Sequence, residues 1–332
     1  MKLTAVATFA LFLISSKPGL CQGNSTEIAL QRALHFLTAQ QDESGKFSDS
    51  TNQLFDVWET ILAVDALQHL RTSEYQLSVQ SGLAYLQNHE NPQALICHNS
   101  KCKEATCIET SAYYLELLRH TPDLNIEKRL AHISEMQEEN GSWTILNPDV
   151  SQNSSFVSVT AFVVHLFESY AYTSYSKKTA LEYIAAKQLP DGSWGQSWEY
   201  YNCPGYALWQ CLRVLKQEPE YAAEYQRGLA FIADQQLENG SWQYRDPSIE
   251  NTTSPELQTA LMLRCLVGAH DPSSIRALKK GIDFLLQAQL PNGSWDGGYF
   301  PIPNARYKKK EYLLATTLII QSLFDVLNGS QE

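Results

Sequence analysis

Residues 280–295 read KGIDFLLQAQLPNGSW, 227–242 read RGLAFIADQQLENGSW, 178–194 read KTALEYIAAKQLPDGSW and 129–143 read RLAHISEMQEENGSW. Near the start, 32–47 read RALHFLTAQQDESGKF, and a sixth copy, SGLAYLQNHENPQ at 81–93, keeps the helical part and loses the Gly-Ser-Trp ending. Each clear copy has a basic or small opening, an amphipathic run, a Gln and a turn closed by an aromatic. Trp143, Trp194, Trp242 and Trp295 stand 51, 48 and 53 residues apart. Self-similarity at such a period signals a repeat architecture.

A second series of segments lies between the copies: DVWETILAVDAL (56–67), CIETSAYYLELL (107–118), SVTAFVVHLF (158–167), GYALWQCLRVL (205–215), LQTALMLRCL (257–266) and LATTLIIQSL (314–323). Aligned on Thr60, Thr110, Thr160, Tyr206, Thr259 and Thr316, they recur at 50, 50, 46, 53 and 57 residues. They are apolar nearly all round, which requires burial on every side, whereas the first series carries charge on one face. Two helices per repeat, one class buried and one half exposed, predict an all-α double ring. Six inner helices form its wall, six outer helices pack around them, and closure removes the ends an open solenoid must cap. In each turn the Gly supplies a positive φ, the Trp folds back over the junction, and the Gln reaches orphan carbonyls or the next repeat's helix start. Such residues recur around the ring and are read as structural. Residues 23–332 form one domain on this reading, with the longer polar stretches gathered at one rim.

The first 22 residues have the form of a secretory signal: Lys2, the short apolar run VATFALFLI, then small and turn residues. A lipid anchor on Cys21 is the alternative. No other stretch is long and apolar enough to span a membrane. A net charge of −11 argues against nucleic acid or an anionic membrane as partner. Six further cysteines, Cys97, Cys102, Cys107, Cys203, Cys211 and Cys265, predict up to three disulfides in an exported chain, with Cys211 and Cys265 bonded or touching. The spacing of Cys97, Cys102 and Cys107 beside His98 also admits a metal, but export favours disulfides. Sequons at Asn24, Asn153 and Asn251 are candidate glycosylation sites. Those at Asn140, Asn239 and Asn292 fall within the Asn-Gly turns and are explained by turn geometry.

The repeated phrase resembles the Q-W repeat of the terpene cyclases and protein prenyltransferases, with four clean copies of Q-x₂₋₃-N/D-G-S-W covering nearly all of the exported chain. The resemblance implies an (α/α)6 toroid with a central cavity for an isoprenoid or similar hydrophobic small molecule. Class II cyclases protonate their substrate with the middle Asp of D-x-D-D-T. That frame here is Asp56-Val57-Trp58-Glu59-Thr60, with Trp58 in the proton donor's place. Trp58-Glu59-Thr60 also resembles the W-D-T phrase of non-catalytic inner helices. The prenyltransferase zinc frame falls on Cys203-Pro204-Gly205 and Ala315, and D-D-x-x-D and G-C-G-E-Q are missing, so no metal or cofactor is expected.

Glu59, Glu109 and Gln258 stand directly before the aligned Thr, at inner-helix starts. There a carboxylate stabilises the first turn through the dipole. Facing a dry cavity, Glu59 and Glu109 would instead be acid–base candidates, with Asp56 holding Glu59. Trp58, Tyr113, Tyr206, Trp209 and Gln258 are candidate ligand contacts. The alternatives are an isoprenoid-processing enzyme and an extracellular carrier with the ring architecture of the cobalamin carriers.

Overall fold

In the computed structural model, the described residues are 23–49, 55–69, 73–102, 105–120, 125–147, 156–195, 203–244, 252–269, 271–299, 310 and 312–329. Residues 1–22, with the expected signal, lie outside them. They contain twelve α-helices. The odd-numbered ones are α1 (Gly23–Thr38), α3 (Gln76–Gln87), α5 (Ile126–Ser134), α7 (Lys177–Ala186), α9 (Ala222–Gln235) and α11 (Pro272–Ala288). The even-numbered ones are α2 (Asp56–His69), α4 (Ile108–Leu117), α6 (Val157–Ser169), α8 (Pro204–Leu215), α10 (Pro255–Cys265) and α12 (Leu313–Gly329). Each even helix packs against the next even helix, and α12 returns to α2, so the inner ring is closed. Outer helices α3, α7, α9 and α11 pack on the inner helices that precede them, and α1 packs on α12. The last pair joins the two ends of the chain. A two-stranded ribbon, β1 (Thr106–Cys107) with β2 (Leu146–Asn147), is the one sheet among the described residues.

The division of labour follows the sequence pattern. On α6 every residue from Val157 to Val164 is buried, whereas on α9 only Gly228, Phe231 and Ile232 are. Each Q-W turn then ties three helices together. The side-chain Nε2 of Gln137, Gln188, Gln236 and Gln289 donates to the carbonyl of Gly141, Gly192, Gly240 and Gly293 at 2.9–3.1 Å. It also donates to a carbonyl at the start or in the first half of the next outer helix: Ser176, Glu224, Ala277 and, around the ring, Ala29 (2.7–3.0 Å). The indole Nε1 of Trp143, Trp194, Trp242 and Trp295 donates back to Ile133, Ile184, Ile232 and Leu285 of its own outer helix (2.7–2.9 Å). The backbone N–H of Phe47, Trp143, Trp242 and Trp295 donates to Oγ1 of Thr60, Thr160, Thr259 and Thr316 at 3.0–3.1 Å. Four of the five aligned threonines are thus acceptors of the outer turns.

Glycine is required at the turn on two counts. Gly192 has φ +93°, and a Cβ there would lie 2.3 Å from the Arg227 carbonyl oxygen. The turn Asn is also engaged: Oδ1 of Asn140, Asn239 and Asn292 accepts the N–H and the hydroxyl of the following Ser, and Asp191 does the same in the PDGSW copy. The copy without Gly-Ser-Trp is held differently. Asn91 Oδ1 accepts from Gln93 N and Leu95 N, Ala94 takes φ 58°, and Ser111 Oγ accepts from Ile96 N (3.0 Å). The Arg129 guanidinium braces the turn by donating to Glu90 Oε1 (2.7 Å) and the Ala94 carbonyl (2.8 Å).

Candidate functional site

The inner helices carry their chemistry as stripes at helical spacing that face the axis: Glu109, Tyr113 and Glu116 on α4, Phe162, His165 and Ser169 on α6, Tyr206, Trp209, Gln210 and Arg213 on α8. Three levels result, from the long-loop rim at the inner-helix starts to the short-loop end.

At the rim, Asp56 Oδ1 accepts from Ser100 N (2.9 Å) and Val57 N (3.1 Å), and Oδ2 accepts from the Tyr85 hydroxyl (3.0 Å). Its bonds therefore anchor the rim loop and α3 to the start of α2. Gln258 accepts from Tyr244 N (2.6 Å) and donates to the Tyr244 and Thr253 carbonyls, both at 3.0 Å. It holds the loop before α10. Glu59 and Glu109 are buried, at 1% and 3% exposure. Tyr206 on α8 donates to Glu109 Oε1 on α4 at 2.5 Å. That bond is a chord across the hub, because α6 stands between α4 and α8 in the ring.

Tyr113, Phe162 and Trp209, about one turn deeper, form an aromatic level with Trp58 from the first turn of α2. Trp58 meets Tyr113 edge-on at 4.9 Å, Tyr113 stacks on Phe162 at 4.0 Å, and Trp209 lies 6.5 Å from Tyr113. Gln210 Nε2 donates to the Tyr113 hydroxyl (3.0 Å), a second chord between α8 and α4. Burial drives the Tyr113 phenol well above its ordinary pKa, so it stays neutral. Phe162 and Tyr206 are sealed, while Trp58, Tyr113 and Trp209 keep 5%, 7% and 6% exposure.

Below the aromatics the hub turns polar. Relative to the aligned Thr, Asp65, His165, Arg264 and Gln321 stand at five residues, Glu116 at six and Arg213 at seven. All but the buried Gln321 are partly exposed. Gln321 Nε2 on α12 donates to Asp65 Oδ2 (2.9 Å) and to the Leu62 carbonyl (3.1 Å) on α2. Arg264 Nε lies 2.6 Å from Asp325 Oδ2, and its Nη1 donates to Gln321 Oε1 (3.3 Å). Glu116 accepts from Ser169 Oγ (2.7 Å) and pairs with Arg119 (3.1 Å). Two guanidiniums cover Trp209: the Arg264 Cζ lies 3.7 Å from the ring centroid and that of Arg213 4.9 Å. Arg213 also stands 4.5 Å over Phe162. Burial, then the charges of Arg213, Arg119 and Arg264, push the His165 pKa down to about 2. Burial raises that of Asp65 and lowers that of Arg213 to about 10.

The cysteines correct an expectation. Cys97 and Cys102 form a disulfide (Cα–Cα 5.9 Å), which fastens the rim loop beside Asp56, but Cys107, Cys203, Cys211 and Cys265 are free thiols. An even count says nothing of distance, and these four sit within helix packing. Cys107 Sγ accepts from Thr110 Oγ1 (3.0 Å), and Cys265 Sγ donates to the Leu261 carbonyl of its own helix (3.2 Å). Cys211 and Cys265 are near enough for the charge of one to act on the other, yet they are not bonded. Burial pushes the Cys107 and Cys203 thiols up to about 12, the range of inert structural cysteines. Asn153 and Asn251 lie outside the described residues, and Asn24 lies on α1.

Sequence reasoning placed Glu59, Glu109, Trp58, Tyr113, Tyr206 and Trp209 on the inner helices, and the structure gathers Glu109, Trp58, Tyr113, Tyr206 and Trp209 into contacts around Tyr113 and Glu109. It missed the polar level. The shared offset from the aligned Thr was the available signal, hidden because acid, base, imidazole and amide alternate in it.

A closed six-plus-six ring, Q-W turns and an aromatic hub define a terpene-cyclase-type α/α toroid. The squalene-hopene cyclase C-terminal domain model matches residues 118–314, more than half of the chain, and the prenyltransferase alpha-alpha toroid domain model matches 4–110. The chain belongs to the squalene-hopene cyclase C-terminal domain family. Among curated relatives, the lanosterol synthase of Saccharomyces cerevisiae is 29% identical over 125 residues, 36% of this chain and 17% of that protein. The squalene–hopene cyclase of Alicyclobacillus acidocaldarius is 27% identical over 151 residues, 43% of this chain and 24% of that one. The matched regions thus cover about a fifth of those relatives' length. Among solved structures, the type II terpene cyclase MstE from Scytonema, in complex with its substrate geranylgeranyl dihydroxybenzoate, superposes with TM-score 0.75 at 16% identity, covering 92% of this chain and 98% of that one. A protein from Actinoplanes superposes with TM-score 0.72, covering 90% and 99%.

Proposed function

We infer that this protein is exported and that its hub binds an isoprenoid-like hydrophobic small molecule without carrying it through ordinary class II cyclisation. The observation behind this reading is the aromatic level. The rings of Trp58, Phe162 and Trp209 meet that of Tyr113, so that four successive inner helices each contribute one, and all but Phe162 keep a few per cent of their surface. Aromatic faces and edges suit a polyprenyl chain. The middle acid of D-x-D-D is Trp58, itself part of that level, and Asp56 is committed to Tyr85 and the rim loop. Carriage needs no acid. The sequence supports export through the leader and the favoured disulfide pairing at the rim.

One contact favours a second reading. A carboxyl at the head of the aromatic level, held at 2.5 Å by Tyr206, has the placement of a proton donor, so Glu109 is the residue through which acid catalysis would run. The discriminating experiment extracts the purified protein, identifies the bound lipid by mass spectrometry, and incubates the protein with a polyprenyl substrate. Carriage predicts an unaltered lipid and no cyclised product. A cyclised product, formed by the unaltered chain and lost in Glu109→Gln, would replace carriage with catalysis.

A further inference from the structure

Of the charged groups at the short-loop end of the hub, Arg264 has Asp325, Arg119 has Glu116, and Asp65 has Gln321 and, at 3.6 Å, His69. Arg213 is the exception. Among the described residues no carboxylate comes within ion-pair distance of it, and its Nε and Nη2 are shut off from solvent and bond nothing. These two nitrogens form the side edge of the guanidinium, the pair of parallel donors that matches two oxygens of a carboxylate or phosphate. The rings of Phe162 and Trp209, with centroids 4.5 and 4.9 Å from the Arg213 Cζ, pack against the guanidinium but give its N–H groups no oxygen acceptor. His165 beside it stays neutral, and Arg264 adds a second positive charge over the same indole. An isolated buried guanidinium is costly to keep. A partner with two oxygens and negative charge would satisfy it.

We propose that the hub's ligand is an amphipathic anion, whose apolar chain lies along Trp58, Tyr113 and Trp209 and whose carboxylate or phosphate head is taken by Arg213 with Arg264 behind it. This rests on the hub-ligand reading above and adds the head group. The partial exposure of Arg213, Arg264, His165 and Asp65 leaves that end of the hub reachable from water. Head-down entry would let the Arg213 edge turn toward the oxygens.

The test titrates the purified full chain with three probes of equal chain length, geranylgeraniol, geranylgeranoic acid and geranylgeranyl phosphate, and follows tryptophan fluorescence, since Trp209 lies under both guanidiniums. At least one anion should bind about tenfold or more tighter than the alcohol, and the better of the two identifies the head. In Arg213→Met the anions should lose their advantage over the alcohol, and Arg213→Lys should recover part of that advantage. Equal binding of alcohol and anions by the unaltered chain, or a preference that survives Arg213→Met, overturns the proposal. Should Arg213→Met fail to fold, the probe comparison on the unaltered chain and on Arg213→Lys decides it alone. Binding of none of the three removes the hub-ligand reading as well, whereas alcohol binding equal to that of the anions removes only the head group.

Discussion

At the perimeter, Gln137, Gln188, Gln236 and Gln289 make the same two bonds, and four indoles donate to their own helices at almost the same distance. In the hub, no such repetition exists. The six inner helices present Asp65, Glu116, His165, Arg213, Arg264 and Gln321 at nearly one level. Repetition at the rim of a ring is what closure demands, because every junction must be the same junction. A ligand site of the kind proposed for the hub would break the symmetry, because one molecule meets each wall once. The hub carries groups that the turns do not use, a guanidinium with two unbonded nitrogens and a neutral imidazole among them. Perimeter residues should accordingly carry stability, and hub residues should carry selectivity.

The largest effect that can break this contrast belongs to an indole. Trp194 is 1% exposed, its Nε1 bonds Ile184, and its ring lies under the next outer helix at Gly228, where a Cβ would stand 3.3 Å from Cζ3. Trp194→Ala should lower unfolding stability by about 3–5 kcal/mol, measured by denaturant titration. A loss below about 1 kcal/mol would mean that the turns are not what holds the ring shut.

A smaller effect tests the hub through pH. The folded-state pKa of His165 is depressed to about 2 against an ordinary value of 6.5. A histidine held neutral contributes nothing adverse above its unfolded pKa, and stability is lost as pH falls from about 6.5 toward 2. Between pH 7 and pH 5 the loss from this group should be about 2 kcal/mol. Asp65, with its pKa raised by burial, acts in the opposite sense, which makes the comparison with His165→Gln the informative one. The variant's profile should be flatter by that amount over the same window. Parallel profiles would mean that His165 is not held neutral in the folded chain.

The two regions were unequally legible in the sequence. Five Gly-centred turns and a 46–57-residue spacing of the inner segments were enough for the ring, because repetition averages out local noise. The aligned threonines were visible as a register, but that Thr160 and Thr259 accept the tryptophan N–H required the packed turn. In the hub, Glu109 and Tyr206 are 97 residues apart and meet only across a chord of the closed ring. The four free cysteines show the same limit. Their even number was plain, but which of them approach within bonding distance is a property of helix packing.

The smallest effect, and the one that sharpens the contrast most, has the opposite sign. Arg213 lacks a carboxylate partner among the described residues, and two of its nitrogens bond nothing. Met fills a similar volume against Phe162 and Trp209 and leaves no donor unsatisfied. Replacing buried charge by a well-packed apolar side chain commonly stabilises, and the lost cation–π contacts offset part of the gain. Arg213→Met should therefore raise stability by about 1 kcal/mol, measured by the same denaturant titration as Trp194→Ala. A turn glutamine or tryptophan should not behave this way, since its amide or indole N–H is already bonded. If Arg213→Met instead costs as much as a turn substitution, the arginine holds the wall together, and the line drawn between a structural perimeter and a selective hub falls in the wrong place.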